Sequence, residues 1–461
     1  MSLPTPRGRQ GDVVYLPRSG HHVVLGTAGT GKTLMAAWRA AYLSSPDTPG
    51  HGRTLLVTYN KTLAKYLEGI PGLRVRDLDV RTYGRFSWHY LSNSGLVRGS
   101  NILGGPARIR IIEKAVDAVS PAYRGSRLWD RGPAWFADEI SWISGMGFTE
   151  LDHYTDSERR GRVTPLSRGL RPVIWKVMEN YRDLRRDAGY DFDWDDIATA
   201  VRERLAADRR EHLYRHIVID EGQDLSPEQI RSLVDAVPED GSVTFFGDYA
   251  QQIYGQAMSW KSCGLSVRRV ERFRDNLRNS KAIADLATAV SEMPFFEKSD
   301  DFVAPLAPRA TGPRPTLVRC SGEDEELRVV RATAERLGRD GTVAVIARTW
   351  EAADHACRGI RATRLREGGF TWQAPPGVYK TTYHSAKGLE FDAVVLPLCG
   401  AERIPDRDVL ESFDEKDAHA RESKLLYVAI TRARSELVIT YSGTRSPLLP
   451  TDPALFTEVR P

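Results

Sequence analysis

The sequence is short of several things, and each shortage closes off a class of protein. It has 4 cysteines in 461 residues, Cys263, Cys320, Cys357 and Cys399, and no two stand in a C-x-x-C spacing. That argues against zinc and iron–sulfur ligand patterns and against a disulfide-framed fold; four reduced thiols in a cytoplasm is the simplest reading. No apolar run reaches the ~18 residues of a membrane span. The opening Met-Ser-Leu-Pro-Thr-Pro has no apolar core of a secretory signal. The expectation is a cytoplasmic protein with no membrane partner. Charge excess is missing too. The 65 Lys and Arg against 61 Asp and Glu leave a formal +4. That neither demands nor excludes a nucleic-acid partner, because a basic groove can sit on a nearly neutral protein. Short-period repeats and low-complexity tails are absent as well, which argues against solenoids and disordered arms.

What is present is Gly26-Thr27-Ala28-Gly29-Thr30-Gly31-Lys32-Thr33, a complete G-x-x-x-x-G-K-[ST]. The apolar run His22–Leu25 before it reads as a buried strand, and Leu34–Leu43 after it, free of Gly and Pro, reads as a helix. Strand, glycine loop, helix is the context this motif requires. Backbone N–H groups turned inward by the glycines cradle phosphate oxygens, helped by the positive helix end. Lys32 reaches the β- and γ-phosphates of ATP, and the Thr33 hydroxyl holds Mg²⁺.

The chain order predicts an α/β protein with two parallel sheets. Strands at 55–59, 78–83, 216–219 and 242–246 share the first sheet with the glycine loop. Residues 86–205 change to helices rich in Trp, Arg and Glu and read as an insertion. Thus 1–85 with 206–272 form the first domain and 273–461 the second. In the second, strands at 316–319, 343–347, 378–382, 393–398 and 437–441 alternate with helices at 323–337 and 350–358. Two strands of the first sheet lead into acidic residues. Asp220, at the end of 216–219, is placed to bind Mg²⁺, and Glu221 to orient and deprotonate the attacking water. After 242–246 comes Gly247-Asp248-Tyr249-Ala250-Gln251-Gln252-Ile253-Tyr254, where a polar amide is positioned to sense the γ-phosphate.

At this point the order of features resembles the superfamily 1 helicases of the UvrD/Rep/PcrA type, whose G-D-x-x-Q-x-I-Y pattern is matched at every specified position. The resemblance continues through Asn276-Leu277-Arg278-Asn279-Ser280, Thr382–Asp392 (T-x-H-x-x-K-G-L-E-F-D) and Leu426–Ala433 (L-Y-V-A-x-T-R-A). It covers nearly the whole chain in the family order. It implies two RecA-like domains, with ATP and Mg²⁺ between them and single-stranded or tailed duplex DNA as partner. It also implies roles. Arg278 and Arg432 touch the γ-phosphate from the second domain and Gln251 links that phosphate to the DNA surface. Gln10 reads the adenine and Glu390 holds the ribose. Thr58, Tyr59, Thr82, Tyr254 and His384 lie along the strand, with Trp260 a weaker candidate better explained by core packing. Movement is implied to be 3′ to 5′.

Two departures stand out. Leu277 replaces the family's adenine-stacking Tyr, and Leu34 replaces the Arg on the base's other side, which predicts weaker preference for ATP. The family's second large helical domain, between Ser280 and Thr382, is expected to be missing or vestigial, and no nuclease domain is expected to follow. Arg159, Arg160, Arg162, Arg168 and Arg171 in the insertion are either a phosphate grip or a solvated helix face. The rival to a translocating helicase is an ATP-gated DNA-sensing or regulatory subunit of a nuclease or defence complex, without unwinding of its own.

Overall fold

Apolar runs that stop at Gly, Thr or Asp become strands, and they stop along one common edge. The computed structural model describes residues 5–6, 8–99, 101–159, 162, 164–207, 213–248, 259–296, 310–365 and 374–461. The first sheet uses β1 (Gly20–Gly26), β2 (Thr54–Thr58), β3 (Leu78–Thr82), β6 (His216–Asp220), β7 (Ser242–Gly247) and β8 (Val267–Phe273), in the order β3-β2-β6-β7-β1-β8. Every pairing is parallel. Residues of β2 and β6 are buried on both faces, under one layer with Phe86, Leu91 and Ile197 and another with Met35, Ala40 and Leu63. Such double burial is why these strands read as continuous apolar runs rather than alternating ones. The register sets Thr58 opposite both Thr82 and Asp220, and Leu25 opposite Gly247. The carboxyl ends of five strands therefore share one rim, where ligands of open α/β sheets bind.

His216 sits wholly buried on β6, its ring nitrogens near Ser242 Oγ (2.9 Å) and Gly50 O (3.0 Å). Burial pushes its pKa down to about 4, whereas an unfolded His titrates near ~6.5. Between those values the unfolded chain binds a proton that the native chain refuses, so stability falls as pH drops through that window. Thermal midpoints of wild type and His216→Gln at pH 7.5 and 5 test this. The variant is expected to lose less between the two.

The strands of the second sheet are β9 (Thr316–Cys320), β10 (Thr342–Ala347), β11 (Ala362–Arg364), β12 (Gly377–Thr382), β13 (Phe391–Leu396), β14 (Ala433–Ser442) and β15 (Thr457–Val459). They run in the order β11-β12-β10-β13-β14-β9-β15, again all parallel. Two RecA-like lobes are thus in place. Three strands of these two large sheets escaped the sequence reading: β8, β11 and β15. All are sheet edges, with exposed charged or short sequences that leave no apolar run to detect. Between Ser280 and Thr382 the described residues form this sheet and the helices against it, with no second helical domain among them.

The helical insertion has its own core, including Trp135, Phe136, Ile140, Ile143, Tyr154, Ile174 and Met178. The short parallel pair β4 (Ile102–Leu103) and β5 (Phe192–Asp193) ties off its base. The helices Tyr83–Asn93 and Ile197–Ala207 lie within 86–205 for most of their length, yet Phe86, Tyr90, Ile197 and Val201 pack in the first lobe's core. Those two helices belong to the lobe, and the insertion is shorter than expected. The expected phosphate grip is also corrected. The Arg159 guanidinium pairs with Glu139 at 2.5 Å, and Arg162 pairs with both Asp138 and Glu139. Arg171 donates to the carbonyls of Tyr154, Thr155 and Ser157. These three charges hold the insertion together, and neither a DNA grip nor a solvated face describes them; Arg168 is exposed, and Arg160 lies outside the described residues.

Candidate nucleotide and nucleic-acid sites

The loop after β1 makes two left-handed turns that only glycine adopts cheaply, at Gly29 (φ 79°) and Gly31 (φ 81°). A Cβ at Gly29 would also strike the Asn276 side chain, so the second lobe approaches the loop backbone directly. The Leu277 N–H donates to Gly29 O at 2.9 Å across that seam. Thr30 Oγ1 donates to Thr27 O at 2.9 Å, closing the loop on itself. Lys32, 7% exposed, donates to Gly26 O (2.9 Å) and Thr27 O (2.8 Å) and lies 3.3 Å from Asp248 Oδ2. Gln10 donates to Thr30 O at 3.0 Å, which sets its amide against the loop.

A cavity of about 440 Å³ opens here. First-lobe residues Gln10, Ala28, Gly29, Gly31, Lys32, Thr33, Leu34 and Glu221 line it together with second-lobe residues Leu277, Arg278, Glu390 and Arg434. Tyr66 also lines it. Arg278 ion-pairs with Glu390, whose other oxygen accepts from Arg434 at 3.1 Å. Arg432 is buried, donating to Val428 O (2.9 Å), Leu389 O (3.2 Å) and Thr431 Oγ1 (3.0 Å). Burial, and then the neighbouring Arg278, bring its pKa down to about 10.

The two acidic residues at the end of β6 differ in environment. Asp220 is wholly buried, and its carboxylate oxygens make no close hydrogen bond, with only the Thr33 hydroxyl and the Glu221 backbone N–H near enough to act on them. Burial, and then Glu221 beside it, push its pKa up to about 7. A buried carboxylate so thinly satisfied, next to the Thr33 hydroxyl, fits a divalent cation. Glu221 takes a left-handed backbone (φ 54°), a strained conformation for a non-glycine residue. Its Oε2 accepts from Gln223 Nε2 at 2.6 Å and lies 3.9 Å from Lys387 Nζ. Burial raises the Glu221 pKa, but Lys387 and then Lys32 outweigh it and hold the carboxylate below its ordinary range.

A second cavity, about 780 Å³, runs along the same rim. Tyr59, Lys61, Lys65, Thr82, Arg85, Trp88 and Trp194 line it. Tyr59 is 36% exposed, Trp88 38% and Trp194 46%, unusual for rings of that size. Exposed ring faces among lysines and an arginine are what a base-stacking, phosphate-tracking groove requires. Trp88 and Trp194 were missed in the sequence. Their signal was present, since each lies within a few residues of a strand end or of the acidic run 191–196, but only folding brings them beside Tyr59.

Other expected DNA contacts fare differently. Thr58 is corrected: it is wholly buried in β2, so its side chain does not reach a strand. The Thr82 hydroxyl accepts from Arg85 N at 3.3 Å, capping a helix at the cavity wall. His384 is half-buried, its pKa brought down to about 4 by burial, then Arg348. Trp260 packs edge-on against Phe245, with centroids 5.0 Å apart, as expected of a core residue. Gln251 and Tyr254 lie outside the described residues. A third cavity, about 840 Å³, lies on the second lobe between residues 284–293 and 444–455 and shares no lining residue with either site.

Comparisons with known proteins agree with this architecture. A family model described as an AAA domain matches residues 13–257, and one described as the UvrD-like helicase C-terminal domain matches residues 371–444. The ATP-dependent DNA helicase UvrD2 of Mycobacterium tuberculosis (strain ATCC 25618 / H37Rv) is 24% identical over 558 residues, covering 95% of this chain and 79% of that protein. DNA helicase II of Haemophilus influenzae is 21% identical over 299 residues, 59% of this chain and 38% of the relative. DNA helicase II of Escherichia coli (strain K12) is 40% identical over 75 residues, 16% of this chain and 10% of its own. No helix among the described residues is long and apolar enough to cross a membrane. With the phosphate loop and acidic strand end in one lobe, and Arg278, Glu390 and Arg434 facing them across the cavity from the other, the chain belongs to the UvrD-like superfamily 1 helicases, ATP-hydrolysing enzymes built on two RecA-like lobes.

Proposed function

We propose that the protein is a 3′-to-5′ single-stranded-DNA translocase, and a helicase on tailed duplexes, acting in the cytoplasm. The observation that carries this is the shared cavity, where Lys32, Thr33 and Glu221 face Arg278 and Glu390 of the other lobe. In this reading the glycine loop and Lys32 hold the triphosphate, and Gln10, Leu34 and Leu277 border the base. Glu390 takes the ribose hydroxyls once Arg278 turns to the γ-phosphate. Thr33 and Asp220 would hold Mg²⁺, which supplies Lewis-acid neutralisation of the phosphate oxygens. Glu221 orients the attacking water and accepts its proton. Arg278 and Arg432 stabilise charge on the transferred phosphoryl group. Their contacts exist only with triphosphate bound, so closing and opening of the seam alternates with hydrolysis. Tyr59, Trp88, Trp194 and Tyr254 stack on bases, at roughly 1–3 kcal/mol each, while His384 follows the strand on the second lobe and Gln251 connects it to the γ-phosphate.

The test is steady-state ATP hydrolysis with and without single-stranded DNA, plus strand displacement on 3′- and 5′-tailed duplexes, with Lys32→Ala as control. Strong stimulation and displacement confined to the 3′-tailed substrate are expected. No stimulation would sink the proposal, and stimulation without displacement would turn it to the rival sensor, which no observation now favours.

Base selectivity follows from the same walls. Leu34 is apolar and Leu277 is 64% exposed, so neither gives the purine a stacked cation or ring. Tyr66 is the one aromatic residue on that cavity among those described. ATP and UTP are expected to differ in kcat/KM by less than about tenfold, and Tyr66→Ala to narrow the gap further, since a stacked ring is worth ~1 kcal/mol. Strict ATP selectivity in the competition assay removes this reading.

A further inference from the structure

The helix Pro133–Met146 of the insertion touches both RecA-like lobes. At its C-terminal end, Met146 O accepts from both terminal nitrogens of Arg231 on the first lobe, each at 3.1 Å. Toward its N-terminal end, Asp138 pairs with Arg421 of the second lobe at 2.7 Å, while Arg162 holds the same carboxylate. Nearby, Thr164 Oγ1 donates to buried Asp417 Oδ2 at 3.1 Å. Phe413 of the second lobe packs against the insertion's own core, and the Arg421 guanidinium lies 4.1 Å over its ring. At mid-helix, Ser141 donates to Asp195 Oδ2 at 2.6 Å, and Asp195 lines the aromatic cavity beside Trp194. From Asp138 to Met146 the helix rises about 12 Å, so one rigid element ties the two lobes together, and its middle meets the wall of the aromatic cavity through Asp195.

The two lobes also meet directly. Asn60 donates to Ser385 O (3.3 Å) and Lys387 O (3.2 Å), and Lys387 Nζ lies 2.5 Å from Asp224 Oδ2. First lobe, insertion and second lobe therefore touch pairwise, with the aromatic groove beside the bridging helix.

We propose that these contacts encircle the DNA strand. The Asp138–Arg421 and Thr164–Asp417 contacts are the latch of the ring, and a strand enters either by its free end or by opening that latch. The proposal rests on the DNA-translocase reading above and adds which substrates load. The deciding variant is Asp138→Cys with Arg421→Cys, joined by a short bismaleimide; the native cysteines are all buried. Joined before DNA is added, the enzyme is expected to keep its stimulation by linear single strands and lose it with a closed single-stranded circle of the same sequence. Joined after DNA is bound, it is expected to stay on circles through a high-salt wash that strips linear strands, because salt removes phosphate contacts but not a topological link. Thr164→Cys with Asp417→Cys, closed by oxidation, reads the same ring at a second point. Equal stimulation by circle and line after joining, or release of both by salt, overturns encirclement. A wild type without any DNA-stimulated hydrolysis overturns the translocase reading instead.

Discussion

Replacing Glu221 by glutamine is expected to lower kcat for ATP hydrolysis by roughly 10²–10⁴-fold, the usual worth of a positioned general base. ATP binding is expected to change little. Two neighbouring carboxylates here have opposed environments. Asp220 is buried with no close hydrogen bond, and burial and then Glu221 push its pKa up to about 7. Glu221 faces Lys387 and Lys32, which hold it ionised despite burial. On the proposed reading, two acids whose pKa values are driven apart would divide the labour, Glu221 as the ionised proton acceptor and Asp220 becoming fully anionic on binding a cation. The left-handed backbone at Glu221 fits the same view, since such strain costs about 1–3 kcal/mol and persists where the surroundings over-determine it. Gln223 supplies that support, donating to Glu221 and accepting from Asp248 N at 2.9 Å. Glutamine keeps the shape and loses only the proton acceptor. Single-turnover hydrolysis, with fluorescent-nucleotide binding as the check, measures both quantities. A loss of kcat smaller than about tenfold would assign the base elsewhere. Asp220→Asn should instead raise the Mg²⁺ concentration needed for half-maximal rate.

Much of this site could be read before folding, because phosphate chemistry imposes local sequence. A cradle needs glycines within one loop, and a carboxylate at a strand end follows an apolar run. Gly26–Thr33 and Asp220–Glu221 satisfy both, and parallel pairing brings them to one rim. What could not be read is which way a side chain faces and what meets it from far along the chain. Thr58 fits a DNA-contact motif, yet β2 is covered on both sides. The arginines at 159 and 162 looked like a surface charge cluster until Asp138 and Glu139, some 20 residues earlier, proved to be their partners. Trp88 and Trp194 stand far apart in sequence and meet only because the helices that bear or follow them pack on one lobe. The Lys387–Asp224 pair joins two motifs across the seam by the same long-range route.

Removing either Arg278 or Arg432 is expected to cost kcat about 10³–10⁵-fold, the range seen when an arginine finger is lost, with a much smaller change in KM. The geometry explains why the loss should fall on the transition state. Arg278 is engaged in an ion pair with Glu390, and on the proposed reading it would exchange that carboxylate for the more strongly charged γ-phosphoryl group. Arg432 is wholly enclosed and fixed by three acceptors, and its pKa is lowered to about 10 by burial and by Arg278 beside it. Two guanidiniums crowded together repel, and charge developing on the γ-phosphoryl oxygens relieves that repulsion most when it is greatest. Stabilisation that grows along the reaction coordinate raises kcat rather than affinity. Lysine should not rescue either position, since a point charge lacks the planar fork that meets two oxygens. If the two act on the same phosphoryl group in the same step, the double variant should be scarcely slower than the worse single one, because groups acting as a unit are not additive. Arg432→Lys, compared by thermal midpoint with wild type, separates loss of chemistry from loss of the buried hydrogen bonds. Independent, multiplicative losses, or a KM effect with kcat intact, would remove the arginines from the transition state and leave them as nucleotide-binding charges.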